Sequence, residues 1–136
     1  MEKRLHLSMV SPVRSMFAGE VVQVTAPGVN GSFTILPNHA DFISELHPGE
    51  VKVITVDGMT QYYAVSGGFL EVHRNEVILL AETAERAEEI DIQRAEASKK
   101  RAEDRLRQRK ADMDDARARL ALLRAIARIR VSGKSS

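Results

Sequence analysis

The segment "EIDIQRA", Glu89 to Ala95, sets an aspartate three residues before an arginine where the chain changes character. Asp91 suits the N-cap of a helix starting there, and Ile90 and Ala95 then take the two positions of a hydrophobic staple, so the segment has a purely structural reading. Arg94 fits that reading poorly. A cation in the first turn opposes the positive end of the helix dipole, a cost that Glu85, Glu88, Glu89 and Asp91 offset or that an anion facing Arg94 would remove. A second cationic feature lies downstream. After Asp115 no acidic residue remains, while Arg117, Arg119, Arg124, Arg128, Arg130 and Lys134 follow. Such a run is usually a solvated face; the complete lack of acidic neighbours favours docking on an acidic surface.

Other chemistry finds little support. With no cysteine, disulfides and cysteine-based metal sites or catalysis are excluded, and a reducing, cytoplasmic setting is allowed. His6, His39, His47 and His73 are scattered without ligand-like spacing, so no metal site is expected. Ser66 in "AVSGG" lacks the glycine two residues earlier that a nucleophile elbow needs. No Walker-type phosphate loop is present, and no catalytic residue is assigned. Nucleic acid is a poor fit, since two tyrosines, four phenylalanines and no tryptophan make no interleaved aromatic platform. No segment approaches the roughly 18 apolar residues of a membrane span, so no direct membrane insertion is expected.

The elements that must position these residues come in two halves. The net charge of +1 hides 5 Lys+Arg against 9 Asp+Glu in residues 1–84, and 15 against 10 in residues 85–136. All four prolines and seven of the eight glycines precede Phe69, and none of either occurs between Phe69 and Ser132. The first half reads as short strands between turns. "LHLSM" alternates, with Leu5, Leu7 and Met9 on one side, and "EVVQVTA" is β-branched. "VKVITV" and "TQYYAV" flank Asp57-Gly58, which suits a tight primed hairpin turn, and a second hairpin turns at Arg74-Asn75-Glu76. The second half has helical spacing. Ile92, Ala95, Ala102 and Leu106 form one stripe, and Met113, Ala116, Leu120, Leu123 and Ala127 another. Leu122, Ile126 and Ile129 lie beside the second. Asp112 suits a cap and Asp114 and Asp115 a first turn. The expected fold is α+β, an N-terminal antiparallel β-sandwich (residues 1–86) followed by a two-helix hairpin (87–136) whose alanine-rich seam buries little area.

The assembled motifs resemble the epsilon subunit of bacterial F-type ATP synthases over nearly the whole chain. "HLSMVSP" (His6–Pro12), "GSFTILPNHADF" (Gly31–Phe42), "AVSGGFLEV" (Ala64–Val72) and "ETAERAEEIDIQRA" (Glu82–Ala95) carry the likeness. The family usually has glycine where Thr34 stands and often proline where Asp41 stands. The resemblance implies a non-catalytic rotor subunit at the cytoplasmic face of the plasma membrane, a peripheral part of the complex. Its sandwich joins the gamma subunit and the c-ring, with Ser32, Pro37, Asn38 and His39 in that interface. Its hairpin extends to inhibit ATP hydrolysis, with Arg117, Arg119, Arg124, Arg128 and Arg130 meeting acidic beta segments of the alpha/beta head.

In Bacillus-like members the pattern Ile/Leu-Asp-x-x-Arg-Ala belongs to an ATP site that holds the hairpin folded, and "IDIQRA" matches it. The resemblance thus implies ATP as a regulatory ligand, held by Glu85, Ile90, Asp91, Arg94, Ala95, Arg124 and Arg128. Arg124 and Arg128, four apart, would share a helical face. Guanidinium groups suit phosphate oxygens, and Asp91 would accept from the adenine amino group or from Arg94. Two rival readings stand beside it: the same rotor subunit without ATP sensing, and a small anion- or nucleic-acid-binding module with a basic helical tail.

Overall fold

A computed structural model describes residues 3–108 and 112–134. Nine strands precede two helices: β1 (Leu5–Val10), β2 (Ser15–Gly28), β3 (Gly31–Ile35), β4 (Phe42–Leu46), β5 (Gly49–Thr55), β6 (Thr60–Val65), β7 (Gly68–His73), β8 (Glu76–Ala81), β9 (Ala84–Arg86), α1 (Ile92–Gln108) and α2 (Asp112–Ser132). A 3₁₀ turn at Ala87–Glu89 joins β9 to the helices.

The expected sandwich followed by two helices is what forms. Period-2 alternation in β1 buries Leu5, Leu7 and Met9 completely. The same alternation buries Val77, Leu79 and Ala81 of β8, and these side chains meet Val21, Val24, Val51, Val53, Tyr63 and Leu70 in one core. The strands run β1-β8-β7-β4-β2-β5-β6-β9, and β1 also pairs with β2, so part of the sheet closes on itself. Strand β2 makes this possible. Its first half pairs with β1, its second with β3 and β5, and a register shift between Val21 and Gln23 lets it pass from one layer to the other. Within this sandwich β1 and β8 run parallel, while every other strand pair among the described residues is antiparallel.

Turn chemistry divides similarly. Arg74 and Asn75 both take positive φ between the paired His73 and Glu76, a two-residue primed turn. At Asp57-Gly58 only Gly58 has positive φ, and the Thr55 N–H donates to the Met59 carbonyl, so this hairpin has a three-residue loop rather than a primed dipeptide. The two departures from the family pattern are used locally. Thr34 shares a hydroxyl hydrogen bond of 2.9 Å with Thr25 across the strand pair, and Asp41 accepts from His73 Nδ1 at 3.0 Å.

The helical stripes need more revision. On α1, Ala95 and Ala102 are buried as expected, but Ile92 is exposed and Leu106 only half-buried. On α2, Ala118, Ala125, Ala127 and Val131 are buried, whereas Ala116, Leu120 and Leu123 face outward. The periodicity fixed a helix but not its rotation, because α2 is apolar around much of its circumference and the smallest side chains won the seam. Met113, Asp112, expected as the cap, and Asp114, expected in the first turn, have side chains outside the described residues; Asp115 is half-buried.

The Ser66-Gly67-Gly68 segment has a steric cause. Gly67 and Gly68 take φ of 127° and 144°, a region L side chains avoid, and a methyl group on Gly68 would collide with the Leu80 carbonyl oxygen. Replacing Gly68 with alanine should therefore lower sandwich stability by roughly 3 kcal/mol, from strain and overpacking together. Denaturant unfolding of the two chains checks this, and equal midpoints would contradict it.

Candidate functional site

The link between sandwich and helices is tied from two directions. The Arg86 N–H donates to Glu89 Oε1 at 3.0 Å. Arg14, in the β1–β2 connection, donates to both Glu89 oxygens at 2.9 and 3.2 Å and to the Ala84 carbonyl at 3.5 Å. The Arg14 guanidinium, with the Arg86 N–H behind it, holds the Glu89 carboxyl below the ordinary value. One step on, Asp91 Oδ1 accepts the Arg94 N–H at 3.1 Å, the N-cap expected from the sequence. No acidic residue lies in the first turn of α1, so Arg94 meets the helix dipole uncompensated by its own turn.

Beyond that cap, the two helices and the edge of the sandwich enclose a cleft of about 670 Å³. α1 contributes Arg94, Ser98, Arg101 and Arg105; α2 contributes Arg124 and Arg128; the sandwich side contributes Ser66, Glu82, Thr83 and Glu85. Five guanidinium groups thus face two carboxylates. Glu85 grips Arg128 through two bonds, Nε to Oε1 at 2.7 Å and Nη2 to Oε2 at 3.2 Å. Arg101 donates to Ser98 Oγ at 3.0 Å, and the Thr83 N–H to Ser66 Oγ at 2.9 Å. Among the described residues, Arg94, Arg105 and Arg124 form no salt bridge. Alanines 102, 121 and 125 form the floor, so the arginines stand clear above small side chains. The arrangement gathers cationic side chains from both helices around one space, with hydrogen-bond acceptors on the sandwich side.

The cleft exists only while α2 stays docked. Val131, fully buried, packs with Ala64, Ala87 and Ile90 in a cluster separate from the main core, with Tyr62 alongside. Lys134 reaches Glu50 at 2.5 Å and lies 4.6 Å over the Tyr62 ring. With the Arg128–Glu85 pair, these hold the end of α2 against β5, β6 and the 3₁₀ turn, while α1 packs mainly on α2.

The comparisons divide the chain at the same place. The model described as "ATP synthase, Delta/Epsilon chain, beta-sandwich domain" matches residues 4–87, and that described as "ATP synthase, Delta/Epsilon chain, long alpha-helix domain" matches residues 88–133. The chain belongs to the ATP synthase delta/epsilon family. An ATP synthase epsilon chain of Nitratidesulfovibrio vulgaris (strain DP4) is 50% identical over 99% of this chain and 100% of its own length. One from Syntrophomonas wolfei is 44% identical over 98% of this chain and 97% of its own. The fold is also similar to a chain in the Euglena gracilis mitochondrial ATP synthase structure with OSCP, F1 and c-ring, at TM-score 0.84 and 21% identity, covering 93% of this chain and 80% of that one. The likeness read from the sequence is borne out at the level of family and fold.

Within this delta/epsilon fold the sequence-derived residues separate. Glu85, Arg94, Arg124 and Arg128 come together in the cleft. Ile90, Asp91 and Ala95 do not line it: Ile90 packs under Val131, Asp91 caps α1, and Ala95 is fully buried. Arg101, Arg105, Glu82, Thr83, Ser66 and Ser98 were missed. The arginines were legible, since positions 94, 101 and 105 recur at spacings of seven and four on one helical face. The basic run of α2 is not one face. At about 100° per residue, Arg117, Arg124 and Arg128 share a side, and Arg119 and Arg130 point roughly opposite. Ser32 is exposed in β3 opposite Pro27. Pro37, Asn38 and His39 lie in the β3–β4 connection, where the Asn38 N–H donates to Asn75 Oδ1 at 2.6 Å and His39 packs edge-on to Phe42.

Because Val131 sits outside the main core, Val131→Asp should undock the hairpin and leave the sandwich folded. A buried, unpaired charge there would weaken docking by about 3 kcal/mol or more. Small-angle scattering should report a larger radius of gyration at unchanged β-sheet signal; an unchanged radius would contradict the docking account.

Proposed function

We propose that this chain is the epsilon subunit of an F-type ATP synthase, a non-catalytic rotor component of the central stalk whose hairpin restrains ATP hydrolysis and whose folded form is favoured by ATP. The observation that carries the regulatory part is the cleft, where arginines from both helices converge over an alanine floor beside Glu85 and Glu82. Full-length similarity to epsilon chains supports the rotor part.

The sandwich supplies the surface for the rest of the rotor. On its outer face Ile43, Phe69, Ile78 and Leu80 are exposed at 69, 53, 44 and 52%. Cross-strand pairing aligns them, Ile43 with Glu71 and Ile78, and Phe69 with Leu80. Exposed apolar side chains clustered on one sheet face, with Glu45 and Glu71 among them, suit a protein interface. We assign it to the gamma subunit, with Pro37, Asn38 and His39 at one end of the same face and Ser32 toward the c-ring. Association is peripheral, at the cytoplasmic face of the membrane; among the described residues no helix is long and apolar enough to cross it.

ATP fits the cleft with its nucleoside toward Ser66, Glu82, Thr83 and Glu85, whose oxygens accept from amino and hydroxyl groups, and its phosphates among the arginines. The site draws on α1, α2 and the sandwich together, so extension of the hairpin dismantles it. A ligand shifts an equilibrium only through its differential affinity for the two states; a hundredfold preference for the folded form corresponds to about 2.7 kcal/mol. Arg124 and Arg128 would serve as phosphate ligands when folded and, with Arg117, as contacts to acidic beta segments when extended. Binding and braking are then mutually exclusive, and falling ATP releases the arm that stops wasteful hydrolysis. The rotor role without ATP sensing is the second reading, favoured by the Arg128–Glu85 and Lys134–Glu50 pairs, which tie the hairpin to the sandwich through the chain's own side chains.

Titration calorimetry of ATP into the full chain separates the two. Wild type should bind saturably, and Arg94→Ala should weaken affinity by about tenfold, the worth of one charge-assisted contact. Helix content should hold, because alanine is the better helix former. Equal affinities, or no binding by wild type at millimolar ATP, would leave the mechanical reading.

A further inference from the structure

The chain past α2 stays wound. The Gly133 N–H donates to the Ile129 carbonyl at 3.3 Å and the Lys134 N–H to the Val131 carbonyl at 2.9 Å, so Lys134 comes down beside Val131 on the sandwich. Its ammonium lies 2.5 Å from Glu50 Oε1 and 4.6 Å over the Tyr62 ring. Glu50 stands in β5 opposite Ala64 of β6, and Ala64, with Tyr62 alongside, belongs to the apolar seat of Val131. The seat of the helix end thus joins an apolar plug to one charge.

The two partners of that charge contact are not equivalent. Glu50 Oε1 is closed off from solvent and accepts no hydrogen bond among the described residues, so the Lys134 charge is what offsets it. The Glu50 side chain is 21% exposed and the Lys134 side chain 37%. Removing the ammonium leaves an enclosed carboxylate oxygen uncompensated. Removing the carboxylate leaves an ammonium that reaches water and still covers Tyr62. Chemistry also sets Lys134 apart. The other ion pair between α2 and the sandwich uses Arg128, whose guanidinium stays charged. Among the described residues Lys134 is the only lysine in a salt bridge, and its amine is a nucleophile.

We propose that Lys134 is a charge-dependent latch for the hairpin and a modification site, where acylation of its amine by an acyl phosphate releases the end of α2. The ammonium first gives one proton to solvent. Nζ then attacks the acyl carbonyl, an amide bond forms, the bond to the phosphate oxygen breaks, and the departing phosphate takes up the second proton. The amide is neutral, so Glu50 loses its counter-charge and Tyr62 its cation. The inference concerns docking alone and stands apart from the nucleotide reading.

Amide hydrogen exchange of the full chain without nucleotide, read by mass spectrometry, tests both parts. Lys134→Gln should speed exchange across residues 125–131 by about tenfold or more, and Lys134→Arg by less than about threefold. Glu50→Gln should act more weakly than Lys134→Gln. Adding Glu50→Gln to Lys134→Gln should slow exchange again, because the orphaned carboxylate is gone. Wild type treated with acetyl phosphate should give C-terminal peptides with and without an acetyl group on Lys134 in one sample, the acetylated ones exchanging about tenfold faster. Peptides from β1 and β8 should stay unchanged throughout. A Lys134→Gln chain that exchanges like wild type overturns the latch, as does an arginine variant as fast as the glutamine one, a double variant no slower than Lys134→Gln, or acceleration that spreads into β1 and β8. No acetylation of Lys134, or acetylated and unmodified peptides exchanging alike, overturns the modification site.

Discussion

The hairpin is closed by alanine where helix pairs more often use leucine. Ala95 and Ala102 of α1 and Ala118 and Ala125 of α2 are all buried. At about 0.8 kcal/mol per buried methylene-sized group, such a seam supplies a few kcal/mol where leucines would supply several times more. Small side chains also let the flanking residues face each other across open space. That one choice leaves a helix pair weakly held in itself and an open cleft between two rows of arginine. Everything else in the second half compensates for it. Val131 and Lys134 fasten the end of α2 to the sandwich, Glu85 occupies Arg128, and Asp91 with the Arg14–Glu89 pair fixes where α1 begins.

The sandwich is built on the opposite plan. Its core side chains are buried, Gly68 sits where a side chain would strike the Leu80 carbonyl, and its strands close partly on themselves. It presents two apolar surfaces. The outer row of Ile43, Phe69, Ile78 and Leu80 is exposed, the face proposed above for the gamma subunit, while Ala64, Ala87 and Ile90 form a small apolar seat for the end of α2.

The sequence made the architecture readable because two periods differ cleanly. Leu5, Leu7 and Met9 alternate, and Ala95 and Ala102 recur at seven; nothing in either half mimics the other. Where reading failed, the cause was degeneracy. In α2, "ARLALLRAIARI" offers apolar residues on most sides, and only the fit of alanine against alanine selects the seam, so Leu120 and Leu123 ended outside. In β8, "VILLA" is apolar on both faces, and the exposed outer pair Ile78 and Leu80 could have been found from it. The parallel pairing of β1 with β8 is a long-range choice invisible to any local window. At the site, family likeness supplied Glu85, Arg94, Arg124 and Arg128, and plain helical spacing would have added Arg101 and Arg105. Asp91 and Ala95 were readable for what they do locally, as cap and seam, before any ligand was considered.

The central claim is that one weakly sealed hairpin has its docked state reinforced by an anion shared between its helices. Hydrogen exchange along α2 in the isolated full chain tests this most directly. The amides from Ala118 to Val131 should exchange measurably without ligand and slow by about tenfold or more on saturation with ATP, while the strands β1, β7 and β8 stay unchanged, because only the docking equilibrium is shifted. Exchange in α2 that is equally slow with and without ATP, or slowing that spreads evenly through the sandwich, would contradict it.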